Sequence, residues 1–378
     1  MIEIKRGSLI SKLLYLLSIT GEFPMCSISL LGSYRRNMQL IKNATQPCEY
    51  LNLETKERYT TTLLTIVGQG RRKSLRFLSG AEQILEWLGL WDLYQTLHGD
   101  FRYRGDRAHL DRAHRVAEGY AMAYLAGLEI NPMEIPKLQQ ESIKNLFTDR
   151  QCFYGSKHLK TVSKLEMKKN IYTRVIGAVF ANKNVYAVYN TRAELMKWNG
   201  KGESKTLVNL EEISRMNAGA HRISTAILFG KNEKVALETL DVADKTTRLE
   251  LCFDGIYPQL YFVPLNENGV RQLRILLLEN WREELLSVLF SDDIRSFDEG
   301  GIEYDASMGR KFILAFFDGN ITRLQRFRFG ARRTEGEYEV LCFPFQVELV
   351  KGYLGDLAKI KTIDLEVIEN ALEIGGKH

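Results

Sequence analysis

The sequence predicts an α+β fold, with a helical N-terminal domain and a mixed α/β C-terminal region. Helix-like segments lead into a β-hairpin within the first 90 residues. Alternating apolar residues flank an Asn-Lys-Asn turn within residues 174–190, and strand-like and helix-like segments alternate from there to the C-terminus. We therefore expect four parts: 1–90, a connecting helical segment 91–130, a mixed α/β domain 131–245 that contains the hairpin, and a C-terminal α/β region 246–378.

The composition is that of a globular protein. The chain has 378 residues, of which 45% are hydrophobic and 26% charged, and its net charge of +5 permits nucleic-acid binding without requiring it. Five scattered cysteines without a Cys-x-x-Cys motif argue for a reducing compartment and against a zinc site. Polar residues interrupt the apolar N-terminal run at helical spacing, so we expect an amphipathic helix, a cytoplasmic protein and no membrane segment.

The first 90 residues show a recognisable order of elements. Ser8 is a candidate cap for a first helix that ends near Gly21, and a short helix "MCSISLLG" follows it. A third helix runs over Ser33–Ala44, with Ser33 as its predicted cap. The strand-like segments "RYTTTLLTIV" and "SLRFLS" are joined by the turn "GQGRRK", and the helix "SGAEQILEWLG" closes the series. Three helices, a hairpin and a helix are the elements of a winged helix-turn-helix domain.

Positive charge is concentrated in this domain. Nine Lys and Arg face three Glu between Ser33 and Arg76, an excess of six in a chain whose net charge is +5. In a winged helix the third helix enters the major groove and the hairpin rests on phosphates, so we expect these polar side chains to contact DNA. The candidate DNA-binding residues are Arg35, Arg36, Gln39, Lys42, Arg58, Arg71, Arg72, Lys73 and Arg76, extended by Arg102 and Arg104 in the next segment.

Two other interpretations of these charges remain open. A cationic hairpin tip is often only solvated, and a winged helix can serve protein contacts alone. Cations on both the third helix and the hairpin, in the right order of elements, favour DNA contact.

Signatures of catalysis are absent from the sequence. His109 and His114 are five positions apart and cannot form the i, i+4 pair of a helical zinc site. The chain has no His-x-His pair and no phosphate-binding P-loop. Glu203-Ser204-Lys205 lies in a stretch that is typical of a turn, before which "RAELMKW" is predicted to be helical. We expect no cofactor and no metal.

In the C-terminal region, we expect the segment "TRLQRFRF" to be a strand.

Residues 8–130 resemble the replication-relaxation family of winged-helix proteins, which occur on plasmids and integrative conjugative elements of Gram-positive bacteria. The segments that carry the resemblance are "SLLGSYRRNMQLIKNA", "LRFLSGAEQILEWLG" and "RAHRVAEGYAMAYLAGLEI". The resemblance implies DNA binding in the replication, maintenance or conjugative transfer of a mobile element.

Many members of that family also carry a C-terminal domain that resembles the PD-(D/E)xK nuclease core. The segment "IGAVFANKNVYAVYNT" aligns with the hairpin that holds the catalytic carboxylates in that core. Gly177 and Ala178 stand where the aspartate would be, and Tyr189 and Asn190 stand where the Glu-x-Lys would be. A magnesium site needs those carboxylates, so the resemblance implies a degenerate nuclease core.

These observations predict a sequence-specific protein that binds double-stranded DNA and has no catalysis of its own. By analogy with winged helices that bind paired half-sites, we expect a homodimer that works with replication or transfer proteins. One alternative is a metal-dependent nuclease or relaxase that uses acids such as Asp254 and Glu250. The other is a protein–protein interaction module in regulation or defence.

Overall fold

A computed structural model shows a mixed α+β protein, which confirms the predicted class. The structure describes residues 1–101, 109–131, 151–160, 174–182, 184–196, 198, 200–215, 222–246, 253, 255–295 and 302–374. The chain divides into two compact units, Met1–Leu125 and Ala126–His378. The division therefore differs from the predicted one, because most of the expected connecting segment 91–130 belongs to the first unit.

The first half of the N-terminal unit contains three helical segments. Its elements are β1 (Ile2–Ile4), α1 (Leu9–Thr20), β2 (Phe23–Pro24), a 3-10 helix (Met25–Leu31) and α2 (Tyr34–Ala44). Helix α1 begins where Ser8 Oγ accepts the N–H of Ser11 at 3.3 Å, and it ends at Gly21, whose φ of 72° is left-handed. The apolar face of α1 is fully buried, which explains the long leucine-rich run in this segment.

The strands of the N-terminal unit form two small sheets. The remaining strands are β3 (Cys48–Asn52), β4 (Arg58–Thr61), β5 (Leu64–Val67) and β6 (Ser74–Phe77). One sheet has the order β1-β3-β4, and the other is antiparallel with the order β2-β6-β5.

The predicted strand "RYTTTLLTIV" is divided between these two sheets. Its first half, β4, pairs with β3, and its second half, β5, pairs with β6. Between them the N–H of Leu63 donates to the carbonyl of Ala44 at 3.0 Å, and the Leu63 side chain is completely buried. The ladder is therefore interrupted at Leu63, where the backbone bonds to the end of α2 instead.

Three helices complete the N-terminal unit: α3 (Glu82–Leu88), α4 (Trp91–His98) and α5 (Leu110–Leu125). Helix α3 ends at Gly89, as predicted, with a left-handed φ of 68°. Helix α5 is unusual because it buries two polar side chains, His114 and Glu118, next to Ala117 and Ala121.

The C-terminal unit is built on a six-stranded sheet with the order β12-β11-β10-β9-β8-β7. Its strands are β7 (Glu129–Ile130), β8 (Cys152–Gly155), β9 (Val175–Ala181), β10 (Asn184–Arg192), β11 (Arg222–Gly230) and β12 (Gln259–Pro264). Strands β8, β9 and β10 are antiparallel neighbours, whereas β10, β11 and β12 run parallel. The predicted hairpin is confirmed as β9–β10, and its near-continuous apolar sequence reflects burial on both faces.

A second sheet packs into the same hydrophobic core. It has the order β13-β14-β15-β16, with strands Ala306–Met308, Lys311–Ala315, Glu337–Cys342 and Lys359–Thr362. Tyr189 and Leu228 of the first sheet belong to one buried cluster with Leu314 and Val340 of the second. The expected boundary between residues 245 and 246 is therefore not a boundary in the packing of this unit.

Helices cover these sheets, and two of them correct the sequence predictions. They are α6 (Ser156–Leu159), α7 (Lys201–Arg215), α8 (Glu233–Lys245), α9 (Glu267–Leu276), α10 (Trp281–Leu289), α11 (Ile321–Ala331), α12 (Val347–Leu354) and α13 (Leu365–Ala371). The predicted strand "TRLQRFRF" is helix α11, because Asn320 Oδ1 accepts the N–H groups of Thr322 and Arg323 and caps a helix there. Its buried residues Leu324, Phe327 and Ala331 recur at helical spacing.

The segment around Glu203 was also predicted wrongly. "RAELMKW" begins as the end of β10, and its next described residues, 193–196, are not helical. Glu203-Ser204-Lys205 lies in the first turn of α7 rather than in a turn between elements.

Candidate nucleic-acid interface

Helix α2 has one anchored face and one exposed polar face. The buried Asn37 Nδ2 donates to the carbonyls of Ile28 and Gly32, each at 3.2 Å, which fixes α2 against the 3-10 helix. Ser33 precedes the helix, as predicted, but its side chain makes no capping hydrogen bond. The exposed face carries Tyr34, Arg35, Arg36, Gln39 and Lys42.

The tip of the β5–β6 hairpin presents three exposed cations, Arg71, Arg72 and Lys73. Gly68 opens the turn with a φ of 84°, and a Cβ at this position would lie 2.5 Å from the carbonyl oxygen of Arg72. Only glycine fits this close approach of the backbone. Gly68 thus permits the tight turn that exposes the three cations at the surface.

The 3-10 helix Met25–Leu31 joins α2 to the hairpin tip. The N–H of Met25 donates to the carbonyl of Lys73 at 2.9 Å, while Asn37 of α2 bonds to Ile28. Both cationic elements are therefore anchored on the same seven-residue segment. We call the exposed residues Arg35, Arg36, Gln39, Lys42, Arg71, Arg72 and Lys73 the basic face.

Helix α5 supports this arrangement from within the unit. His114 Nε2 lies 2.6 Å from Ser74 Oγ of β6, and Ser27 Oγ of the 3-10 helix donates to Glu118 Oε1 in a short hydrogen bond. His114 and Glu118 are four positions apart and lie on one face of α5. This pair was not predicted from the sequence, although its i, i+4 spacing is a signal that the sequence contains.

Two of the predicted DNA-binding arginines occupy other positions. Arg76 forms two hydrogen bonds to Glu22 Oε2, at 3.2 and 2.7 Å, and the two side chains are only 14% and 8% exposed. Arg58 is exposed but lies on β4, in the sheet that does not contain the hairpin tip, 3.4 Å from Glu49. Neither belongs to the basic face, and Arg102 and Arg104 lie outside the described residues.

The β9–β10 hairpin has no carboxylate in either strand. Gly177 is pressed against the backbone of β8, because a Cβ there would lie 2.5 Å from the carbonyl oxygen of Tyr154. Tyr189 is buried and its hydroxyl lies 2.6 Å from that of Tyr257. Burial is the main reason that the pKa of Tyr189 lies well above its ordinary value. These are the environments of packed core residues.

The candidate acids of the nuclease alternative are not assembled in the described part of the chain. Asp254 and Glu250 lie outside it, and Asp292 forms an ion pair with Arg295 one turn away. The buried Glu203 lies 3.6 Å from Arg174 Nη1. No group of three or more potential metal ligands comes together among the residues that the structure describes.

A charged cluster that was not predicted from the sequence is buried in the C-terminal unit. Arg323, only 4% exposed, donates from Nη2 to Asp305 and from Nε to Glu303, at 2.7 and 2.8 Å. Arg282 also donates to Asp305, at 2.7 Å. Burial alone would raise the pKa of Asp305, but the two guanidinium groups outweigh it and lower this pKa. The cluster fixes the start of α11 against the chain before β13.

Comparisons with known proteins add no relatives. No protein-family model, no curated protein and no solved structure matches this chain. Among the described helices, none is long and apolar enough to cross a membrane.

Proposed function

We propose that the N-terminal unit is a winged-helix domain and that its basic face binds double-stranded DNA. The order of elements supports this proposal: α1, the short strand β2, the 3-10 helix and α2 follow one another. The β5–β6 hairpin comes after the intervening strands β3 and β4, which form the other sheet with β1. The short strand β2 pairs with the second strand of the hairpin, which gives the order β2-β6-β5. In this architecture α2 is the helix that enters the major groove, and the β5–β6 hairpin is the wing.

One observation carries the proposal: two exposed cationic elements, α2 and the hairpin tip, are both hydrogen-bonded to the 3-10 helix Met25–Leu31 or the glycine that ends it. For the six cations of the basic face, the described residues provide no ion-pair partner. Their charge is therefore available to the phosphate groups of DNA. When these cations contact phosphates, counterions are released from the duplex, which favours binding. Gln39 lies between Arg36 and Lys42 on the same face, and an amide can bond bidentately to adenine.

The role that we propose for DNA binding rests on the resemblance to replication-relaxation proteins. The chain would act in the replication, maintenance or conjugative transfer of a bacterial mobile element, as a sequence-specific binding protein without catalysis of its own. Binding as a homodimer to paired half-sites is part of this proposal.

The experiment that tests the function is selection of duplexes from a random pool by the full-length protein, with and without magnesium. Bound DNA is sequenced and resolved for nicks. A variant with Arg36→Ala and Gln39→Ala should change the enriched sequence, because base contacts specify it. A variant with Arg71→Ala and Arg72→Ala should weaken binding to all sequences alike, because phosphate contacts carry no sequence information.

Three outcomes are distinguishable. Enrichment of a shared sequence in intact DNA supports the proposal. If the protein retains no duplex at physiological salt, the DNA-binding proposal is replaced by the alternative of a protein–protein interaction module. Magnesium-dependent nicks would replace the non-catalytic protein with a nuclease or relaxase.

A further inference from the structure

The C-terminal unit contains a polar cleft of about 750 Å³ that the DNA-binding proposal does not use. Helix α11 forms one wall, Asp244 of α8 and Tyr353 of α12 form another, and Glu303 also lines the cleft. Its volume lies within the range of about 300–1,000 Å³ that is usual for small-molecule sites. The arginines that line it are Arg326, Arg328 and Arg332.

One wall of the cleft is fixed by hydrogen bonds around Asp244. Arg328 Nη1 donates to Asp244 at 2.7 Å, Tyr353 Oη at 3.0 Å and Gln325 Nε2 at 3.1 Å. The Arg328 guanidinium also lies over the Tyr353 ring, 4.3 Å from its centroid. These side chains are held in place before any ligand arrives, which lowers the entropy cost of binding.

Two arginines remain available to a ligand. Asp244 pairs with Arg328, and Glu303 pairs with the buried Arg323, which it shares with Asp305. The Arg326 side chain is 52% exposed, reaches Glu303 at 3.8 Å and donates to the carbonyl of Pro258 at 3.4 Å. The described residues provide no partner for the Arg332 side chain. The three arginines and two carboxylates of the lining give the cleft a net charge of +1. Guanidinium groups suit phosphate oxygens.

An aromatic ring lies beside these cations. Phe329 lines the cleft with 53% of its surface exposed, and the Arg333 guanidinium covers one side of the ring at 3.6 Å from its centroid. Exposed aromatic rings next to arginines are the combination on which nucleobases stack in single-stranded nucleic-acid sites. Thr322 and Gln325 add neutral polar groups to the same lining.

We infer that this cleft binds a nucleoside phosphate, either as a free nucleotide or as part of a single nucleic-acid strand. Arg326 and Arg332 would hold the phosphate, Phe329 would contact the base, and the wall fixed by Asp244 would orient the ligand. This site belongs to the C-terminal unit, whereas the basic face belongs to the N-terminal unit. The site would be retained if the N-terminal unit did not bind DNA.

The test uses the full-length protein with Arg71→Ala, Arg72→Ala and Lys73→Ala, so that the wing does not contribute. Two probes are titrated by fluorescence: a labelled oligothymidylate and a mant-labelled ATP. Adding Arg326→Ala and Arg332→Ala should weaken binding at least about tenfold, because charge-assisted hydrogen bonds are lost. For the strand, the log–log salt slope should also fall by about 1.4.

The charge-matched control is Arg310→Ala with Lys359→Ala, two exposed cations of the same unit. Phe329→Leu, which keeps an apolar side chain, should weaken binding by roughly fivefold or more through loss of stacking. If both probes bind, the ligands of the site are free nucleotides as well as single strands. If only mant-labelled ATP binds, the ligand is a free nucleotide, and if only the oligothymidylate binds, it is a single strand. The inference is overturned if neither probe binds saturably, or if the cleft variant binds as tightly as the control.

Discussion

Arginine is used differently in the two units. Arg71 and Arg72 stand exposed at a hairpin tip, with no ion-pair partner among the described residues. Arg323 is almost completely buried and bonded to Asp305 and Glu303. A charge can be buried only if its bonds are satisfied inside the protein, whereas an exposed charge keeps its field available to a partner. Positive charge alone therefore does not indicate a binding site, and exposure and pairing must be considered together.

The largest expected effect comes from removing the buried arginine. Arg323→Met removes the guanidinium that pairs with the buried Asp318 and leaves the buried Asp305 with Arg282 alone, which should cost about 3–5 kcal/mol of stability. Hydrogen exchange measured peptide by peptide shows whether the loss of protection lies in the C-terminal unit or in the N-terminal one. The control is Arg326→Met, because Arg326 lies one turn further along α11 and its side chain is half exposed. This change should alter stability by less than about 0.5 kcal/mol. Equal exchange in the two variants would contradict the structural role of the cluster.

Arg76 lies between these two cases and sharpens the comparison. Its bonds to Glu22 predict that Arg76→Ala lowers the stability of the N-terminal unit by about 1.5–3 kcal/mol, because Glu22 loses a charged partner. The salt slope of DNA binding should not change. Arg72→Ala should do the reverse, lowering the slope without changing stability. A reduced slope in the Arg76 variant would return this residue to the DNA-binding set.

The smallest expected effect is a pH dependence in the second sheet. Burial raises the pKa of Glu339, but bonds from Lys361 and Lys311 on the neighbouring strands outweigh it, so the net pKa is lowered. Ionised Glu339 therefore stabilises the folded state at pH values above the ordinary glutamate pKa of about 4.3. This stabilisation is lost as the pH falls through the lower pKa of the folded state. The contribution should be below about 1 kcal/mol, since Lys361 is half exposed.

The measurement for Glu339 is the urea midpoint of the C-terminal unit between neutral pH and about pH 3, in wild type and Glu339→Gln. The wild-type advantage at neutral pH should disappear at the acidic end. A difference that stays constant with pH would show that the carboxylate charge is not its source.

The sequence was sufficient for features that depend on local chemistry. Ser8, Gly21 and Gly89 mark helix ends by hydrogen bonding or left-handed φ, and the Asn-Lys-Asn turn with its alternating arms identifies the β9–β10 hairpin. Helical periodicity also predicts the exposed positions of Arg35, Arg36, Gln39 and Lys42 on α2. The same periodicity places Tyr34 with the buried Ile41, and Tyr34 is exposed instead. These signals lie within a few residues of the structure that they specify.

Features that depend on distant partners could not be predicted. Arg76 resembles the other wing cations in the sequence, and only the fold brings Glu22, 54 positions away, within bonding distance. The segment "TRLQRFRF" alternates like a strand, but its Arg323 is buried on a helix against Asp305 and Glu303, 18 and 20 positions earlier. The cleft along α11 was missed for the same reason.

The most direct test of the account is the salt dependence of duplex DNA binding by the full-length protein. Wild type is compared with Arg71→Ala/Arg72→Ala/Lys73→Ala and with the control Arg310→Ala/Lys351→Ala/Lys359→Ala, which removes three exposed cations from the C-terminal unit. If each wing cation contacts one phosphate, the log–log slope should fall by about 2.7 in the wing variant and stay unchanged in the control. Equal slopes for wild type and the wing variant, or equal losses in the wing and control variants, would contradict the proposed interface.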